Sequence, residues 1–448
     1  LQSKSHIFFF IAWLLSVIGF AGDRPEGEPR AGRVLGTRCD GTGDDSLAIN
    51  AALDRAVGRH GGVVQLPAGK CVVASSILIP ENVPVVLAGQ GVGVTTLLLA
   101  RRGNRSVVTH RMFSKLSGSG SGGGVFSSTL RDLTIDGNKS EQSAQAPCMA
   151  LYGHSLTLSN LVVQNCRGEG IVSEWGIDTD FRTPEADLES FFTNIKTMFN
   201  DSDGFVFRGP HDSHVTNLIS YRNRGWGMVT ESTPANSGSL RVAKVNTFLN
   251  GLGGIKAGAG MVGEDVAGTT AAGWGMLIDR AAGSIHLVSS TFSGPVALEI
   301  RNTNNMIEAS VVNATHSGVF MNGGGSSTLV LSFFNNACAL LRFNRSSGPN
   351  FIVGTGTAAT TASSLVEGEP NPGDTISLRM TGIVQKEFTR MVASDVNPAS
   401  TTFVRLGNAL GAGPRMRWCV DCKVASPCVS GGDGAWAFYS STLWKCPF

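Results

Sequence analysis

A five-residue pattern returns down the middle of the chain: a small residue, then alternating apolar and polar positions, then most often a charged or polar one. It reads Cys148-Met149-Ala150-Leu151-Tyr152, Gly170-Ile171-Val172-Ser173-Glu174, Gly204-Phe205-Val206-Phe207-Arg208, Gly227-Met228-Val229-Thr230-Glu231, Gly254-Ile255-Lys256-Ala257-Gly258, Gly275-Met276-Leu277-Ile278-Asp279, Ala297-Leu298-Glu299-Ile300-Arg301 and Gly318-Val319-Phe320-Met321-Asn322. The starts are separated by 22, 34, 23, 27, 21, 22 and 21 residues. A period in the twenties with a strand in every unit is the signature of a solenoid. No single unit can bury its own apolar face, so stacked neighbours must do it.

Composition narrows this further. The 57 glycines are scattered rather than placed at every third position, which excludes collagen and suits a coil with many tight turns. A formal net charge of only +2 leaves no basic footprint for nucleic acid. Lys4 and His6 precede an apolar run over residues 7–20, and Gly19 and Ala21 are spaced as a secretory cleavage site requires. Residues 1–22 are therefore read as an export signal, with an uncleaved membrane anchor as the alternative; either places the protein outside the cytoplasm. An Arg, Pro and Gly linker covers 23–33.

Nine cysteines in an exported chain suggest disulfides. Cys148 and Cys166 sit in adjacent turns and are expected to pair. Cys419, Cys422, Cys428 and Cys446 crowd the C-terminus; two disulfides in a small cap are expected there, with zinc the alternative.

Before the repeats, the chain reads Asp40-Gly41-Thr42-Gly43-Asp44-Asp45-Ser46, a helical stretch over 47–57 with Asp45 or Ser46 as its cap, then Gly61-Gly62-Val63-Val64-Gln65-Leu66-Pro67-Ala68-Gly69-Lys70 and Leu87-Ala88-Gly89-Gln90-Gly91. These motifs, over residues 34–100, resemble the N-terminal lead-in of the pectate-lyase-like superfamily, the right-handed parallel β-helix proteins. The resemblance implies that fold, and a membership that spans polysaccharide lyases, hydrolases, epimerases and phage tailspikes, so it speaks to fold more than to activity.

Asn165, Asn200, Asn223, Asn250, Asn313 and Asn335 recur once per turn and are expected to stack as a ladder satisfying turn backbone groups. Insertions are expected at 175–189, 232–239 and 259–273, as loops on one face. The first holds Asp178, Asp180, Glu185, Asp187 and Glu189, a solvated loop for which calcium binding is the alternative. Strands over 375–380 and 402–406 lead into the cysteine-bearing tail.

Strand alternation points positions one and three of the repeated pattern inward and positions two and four outward. Position four then forms a column of Tyr152, Glu174, Arg208, Glu231, Gly258, Asp279, Arg301 and Asn322, with Lys256 and Glu299 added at position two. One reading is a surface ladder of alternating charge. The other is a saccharide groove in which Tyr152, Trp175 and Trp226 stack sugar faces. Glu174 and Glu231, two rungs or about 9–10 Å apart, resemble an inverting glycosidase pair, but Arg208 between them would keep both ionised when a general acid needs a raised pKa. A lyase or epimerase fits better: Arg208 or Lys256 neutralises a uronate carboxylate while a neighbour removes the α proton.

The polygalacturonase-type hydrolases of the superfamily carry Asn-x-Asp, Asp-Asp, Gly-His-Gly and Arg-x-Lys on successive turns. Asp201-Ser202-Asp203-Gly204 resembles the first, with Asp203 in the Asp place. The next turns, Arg224-Gly225-Trp226-Gly227 and Gly251-Leu252-Gly253-Gly254, lack the Asp pair and the His. His211 and His214 are further candidates for a base.

The expectation is an all-β, single-stranded right-handed parallel β-helix solenoid over 34–355, with a short N-terminal capping helix and a small disulfide-bearing C-terminal module over 356–448. The candidate catalytic residues are Glu174, Arg208, Glu231 and Asp203; the candidate substrate-binding residues are Tyr152, Trp175, His211, Trp226 and Lys256. No metal ligands or cofactor are named. The expected partner is a polysaccharide, not a nucleic acid, in a protein that binds it or processes it as a lyase or atypical hydrolase. A non-catalytic structural or adhesive solenoid, with oligomerisation open, is the alternative.

Overall fold

The computed structural model describes residues 37–381 apart from 120–122, 177–187, 234–238, 345–347 and 359–364, together with strands Gly32–Arg33 and Lys386–Arg390 and those of a C-terminal unit. The coil is a parallel β-solenoid. The repeated pattern forms one sheet, whose strands Met149–His154, Ile171–Glu174, Phe205–Arg208, Trp226–Glu231, Gly253–Gly258, Trp274–Ile278, Val296–Ile300, Ser317–Asn322 and Ala339–Asn344 pair in parallel with their successors. Inward positions one and three are buried in turn after turn: Met149 and Leu151, Phe205 and Phe207, Met276 and Ile278, Val319 and Met321. Each such side chain contributes about 1.5–3 kcal/mol by leaving water, and the contributions come from stacking alone.

A second parallel sheet runs from Thr129–Asp136 through Thr157–Gln164, Phe191–Met198, Ser213–Tyr221 and Leu240–Phe248 to Thr375–Thr381. Its strands bend midway at a left-handed residue: Asp132, Asn160, Asn194, Asn217, Lys244 and Asp265 all have positive φ. Asn and Asp tolerate that conformation better than most residues. Their side chains form an exposed ladder, Asn217 donating to Asn194 at 2.7 Å, Asn194 to Asn160 at 3.0 Å and Asn160 to Asp132 at 2.9 Å.

The expected ladder of turn asparagines divides into different environments. Asn200, Asn223 and Asn250 are buried; Asn200 donates to Asn223 Oδ1 at 2.9 Å, Asn223 to Asn250 Oδ1 at 3.0 Å, and each carbonyl oxygen also accepts a turn backbone N–H. Asn165 instead bonds Asp136, and Asn335 bonds Asn313 on the surface.

Three expectations need correction. Residues 259–273 are no insertion, because Met261–Thr269 is a strand of the second sheet, paired on both sides. Asp45 stands at the N-cap of helix Ser46–Val57 but makes no side-chain cap; its carboxylate accepts from the backbone of Arg38, Cys39 and Val72 instead. The regular coil continues past 355, since Thr375–Thr381 still pairs in parallel with Phe351–Ala358.

The helix buries Ile49, Ala52, Leu53 and Ala56 against the first turns, closing an end that would otherwise expose the core. Disulfides join Cys39 to Cys71 and, as expected, Cys148 to Cys166. The C-terminal unit contains an antiparallel sheet of Arg415–Cys419, Ala435–Ser440 and Leu443–Lys445. The side chains of Cys419, Cys422, Cys428 and Cys446, the segment 1–22, the strand expected at 402–406 and the acidic residues Asp178, Asp180, Glu185 and Asp187 lie outside the described residues. Among the described residues no helix is long and apolar enough to cross a membrane.

Candidate active site

Strand register brings the outward column together. Tyr152 pairs with Glu174, Glu174 with Arg208, and Glu231 with Gly258. Arg208 bridges two acids: its Nε lies 2.7 Å from Glu231 and its Nη1 3.6 Å from Glu174. Burial works against the guanidinium's charge, but the Glu231 and Glu174 carboxylates outweigh it and hold the Arg208 pKa above its usual value.

The two glutamates differ in setting. Glu174 is only 2% exposed, accepting from Ser117 Oγ at 2.8 Å and from the Gly118 N–H. Glu231 is half-open to solvent. Segment 112–118 thus closes over the column at Glu174. The same cover changes the expected aromatic platform: Tyr152 and Trp175 are buried with Leu116, against Met112, Phe113 and Phe126, rather than open to a groove. Position two is covered as well, with Val172, Val206 and Val229 packed under Trp226 and Trp274. Alternation in the strand set the outward direction; segments from elsewhere in the chain decided what that face meets.

Beyond the cover lies a cleft of ≈ 380 Å³, whose walls include Asp203, Arg224, Trp226, Glu231 and Lys256. It sits between the turns that follow the second sheet and the strands of the first. Asp203 stands where its turn enters Phe205–Arg208, and its Oδ1 accepts the Trp226 N–H at 2.6 Å. Burial is the largest influence on its carboxyl and raises its pKa; the Trp226 N–H opposes this, Glu169 and Glu231 add to it, Lys256 opposes it, and the net direction is upward. Lys256 Nζ lies 3.9 Å from Asp279. Of the expected site residues, Asp203, Trp226, Glu231 and Lys256 therefore share one cleft, with Arg208 bound to its Glu231 wall.

His211 is apart from the cleft lining, paired with Asp212 at 3.3 Å, and His214 stacks on Phe191 beside Glu189. Glu299 is buried and accepts from Trp274, Arg301 and Asn322, a satisfied structural group. Sequence reasoning passed over His110, which is buried under the cover; it faces Glu81 through Nδ1 and accepts the Tyr152 N–H at Nε2. Burial lowers its pKa against the pull of Glu81, so its role is to hold the cover. Arg224 was passed over as well, since an Arg in a turn carries no signal until the neighbouring coils are placed.

Residues 33–256, half of the chain, match the family described as rhamnogalacturonase A/epimerase, pectate lyase-like. The chain belongs to this family. Mannuronan C5-epimerase AlgE1 of Azotobacter vinelandii is 29% identical over 226 residues, covering 44% of this chain and 16% of that protein. Alginate lyase 7 of the same organism is 28% identical over 214 residues, covering 44% of this chain and 23% of that protein. The match thus spans under a quarter of either relative's length. Among solved structures, the catalytic unit of a thermostable GH87 alpha-1,3-glucanase from Streptomyces thermodiastaticus superposes with TM-score 0.55 at 15% identity, over 80% of this chain and 70% of that one. At that identity the likeness concerns the fold. Polysaccharide-processing β-helix proteins are therefore among its relatives.

Proposed function

We propose that the chain processes a uronate-bearing polysaccharide in the cleft between Asp203 and Lys256, by a lyase or epimerase reaction that begins with loss of the proton α to the uronate carboxylate. The observation that carries this is Asp203: a mostly buried carboxyl with a raised pKa, facing a cleft that also holds Arg224 and Lys256. Perturbed acids in clefts are candidates for proton transfer. The names of two relatives, a mannuronan C5-epimerase and an alginate lyase, favour a uronate substrate.

Lys256 and Arg224, both in the cleft lining, neutralise the sugar carboxylate as negative charge builds on it when the C–H bond breaks. Asp203, ionised above its raised pKa, accepts the proton; its upward shift makes it a stronger base than an ordinary aspartate. Trp226 N–H orients the carboxylate through Oδ1, leaving Oδ2 for the substrate. Glu231, tied to Arg208, also lines the cleft. Return of a proton from solvent water to the opposite face of the carbanion completes epimerisation, with Asp203 losing its proton to solvent; passage of the proton held by Asp203 to the β oxygen, as its bond to carbon breaks and the C4–C5 double bond forms, completes chain cleavage. Hydrolysis through Glu174 and Glu231 is disfavoured, because Arg208 contacts both and Glu174 is enclosed.

The test is incubation with polymannuronate, polygalacturonate and a neutral α-glucan, following ultraviolet absorbance of unsaturated ends and incorporation of solvent deuterium at C5. A polyuronate signal that falls about 100-fold or more in Asp203→Asn, with the fold intact by circular dichroism, is expected. Turnover of the neutral glucan alone, or an Asp203→Asn protein as active as the wild type, overturns the reading.

A further inference from the structure

Three cations from different coils converge on one carboxylate at the cleft's edge. Lys139 Nζ lies 3.1 Å from Asp201 Oδ1, Arg167 Nη1 3.3 Å from Oδ2, and Arg224 Nε 3.6 Å from Oδ1. Lys139 follows strand Thr129–Asp136, Arg167 follows Thr157–Gln164, and Arg224 follows Ser213–Tyr221, so their backbones are spread over about 14 Å of stacked coils while their charged ends meet within 3.6 Å of one carboxylate. Asp201 is 10% exposed, whereas Lys139, Arg167 and Arg224 are 31%, 43% and 77% exposed. The acid is inside and the cations face out.

One carboxylate cannot balance three cations. Of the nearby acids, Glu169 is engaged by Ser202 Oγ at 3.1 Å and Asp203 accepts the Trp226 N–H in the cleft, while Arg222 adds a further cation over the Phe199 ring. The turn carrying Asp201 is pinned by backbone bonds from Asp201 to Cys166 and from Ser202 to Gly168. The ridge is therefore held in place before any ligand arrives, which lowers the cost of binding. Arg224 belongs to both ridge and cleft wall, making the two continuous.

We propose that Lys139, Arg167 and Arg224 form an accessory binding ridge for an acidic polysaccharide, holding carboxylates of sugars beyond the one in the cleft. Because Arg224 also lines the cleft, the ridge meets a chain that runs on from the cleft rather than a single ring. The proposal rests on the uronate reading of the cleft for its ligand, not on turnover there.

The experiment measures binding of uronate dimers and hexamers, and of a neutral glucan hexamer, to the full chain by calorimetry. Lys139→Gln with Arg167→Gln should weaken hexamer binding about fivefold, the contribution of two solvated ion pairs, and leave dimer binding unchanged. The loss should shrink at high salt. The conservative pair Lys139→Arg with Arg167→Lys should retain hexamer binding, showing that the loss is of charge and not of fold. Equal hexamer affinity in wild type and the Gln pair overturns the ridge, as does equal weakening of the neutral hexamer. If the wild type turns over no polyuronate but the Gln pair still loses hexamer affinity, the ridge stands and the catalytic reading fails. If Asp203→Asn abolishes turnover while the Gln pair leaves hexamer affinity and KM unchanged, the reverse holds.

Discussion

Two asparagines, Asn223 and Asn217, lie six positions apart on one turn and test how burial sets the value of a side-chain ladder. Asn223 is 2% exposed. Its Oδ1 accepts both the Asn200 N–H at 3.2 Å and the Asn200 amide at 2.9 Å. Asn223→Ala leaves both donors buried without that acceptor, while Asn250 Oδ1 keeps the Asn223 N–H at 3.0 Å. Two buried donors at about 1–3 kcal/mol each give a loss of about 4 kcal/mol. Asn217 sits on the surface, where water replaces its bond to Asn194. Asn217→Ala therefore loses about 0.5 kcal/mol of hydrogen bonding, plus about 1 kcal/mol for placing Ala at φ 56°. Asn217→Gly should recover most of the second part. Urea unfolding, with midpoints compared at matched slopes, reads these differences. Asn217→Ala as costly as Asn223→Ala would refute the assignment of their roles. Because Asn223 adjoins Arg224, Asn223→Ala should also raise KM more than it lowers kcat.

Asp203 carries a prediction about pH with a definite sign. Its folded pKa is raised, so its contribution to stability is full below the unfolded value near 3.8 and is lost as pH rises through the folded one; Asp203→Asn should be more stable than wild type at neutral pH, the difference vanishing in acid, by thermal unfolding across pH. Activity on polyuronate should appear as pH rises through that same pKa, at higher pH than an ordinary aspartate would give. Glu174→Gln, whose Oε1 can still accept the Gly118 N–H while its Nε2 donates to Ser117 Oγ, should cost about 1 kcal/mol, whereas Glu174→Ala, which strips a buried acceptor from both and one carboxylate from Arg208, should cost about 3–5 kcal/mol by denaturant midpoint. Loss of Cys148–Cys166, whose partners are 18 residues apart, should cost about 3 kcal/mol, read by unfolding Cys148→Ser with Cys166→Ser.

Much of the fold was legible because a solenoid repeats its physics. Gly227-Met228-Val229-Thr230-Glu231 and its counterparts show period-two alternation in one short stretch, and stacking leaves only one way to bury Met228 and its equivalents. Strand register then follows, and with it the adjacency of Glu174 and Arg208. The reading of 259–273 as an insertion failed because Gly263, Glu264 and Asp265 interrupt the apolar alternation of a strand whose pairing with Leu240–Phe248 is nonetheless continuous on both sides of the bend.

The candidate site was less legible. Asp203, Trp226, Glu231 and Lys256 are named by the local pattern, since each sits in or beside a strand of the first sheet. Burial of Tyr152, Trp175 and Glu174 is not, because the cover that encloses them, Met112 to Gly118, precedes them by more than 30 residues and has no periodicity to place it. The gathering of Lys139, Arg167 and Arg224 on Asp201 has the same origin: residues 23 to 62 positions from Asp201 in the chain meet there because successive coils lie about 4.8 Å apart. Local alternation, a property of neighbouring residues, determined the coil and the direction of each side chain. Only the tertiary structure decided which outward side chains are covered, which are charged against one another, and which remain open to a ligand, since burial and electrostatics depend on distances that the chain's order does not contain.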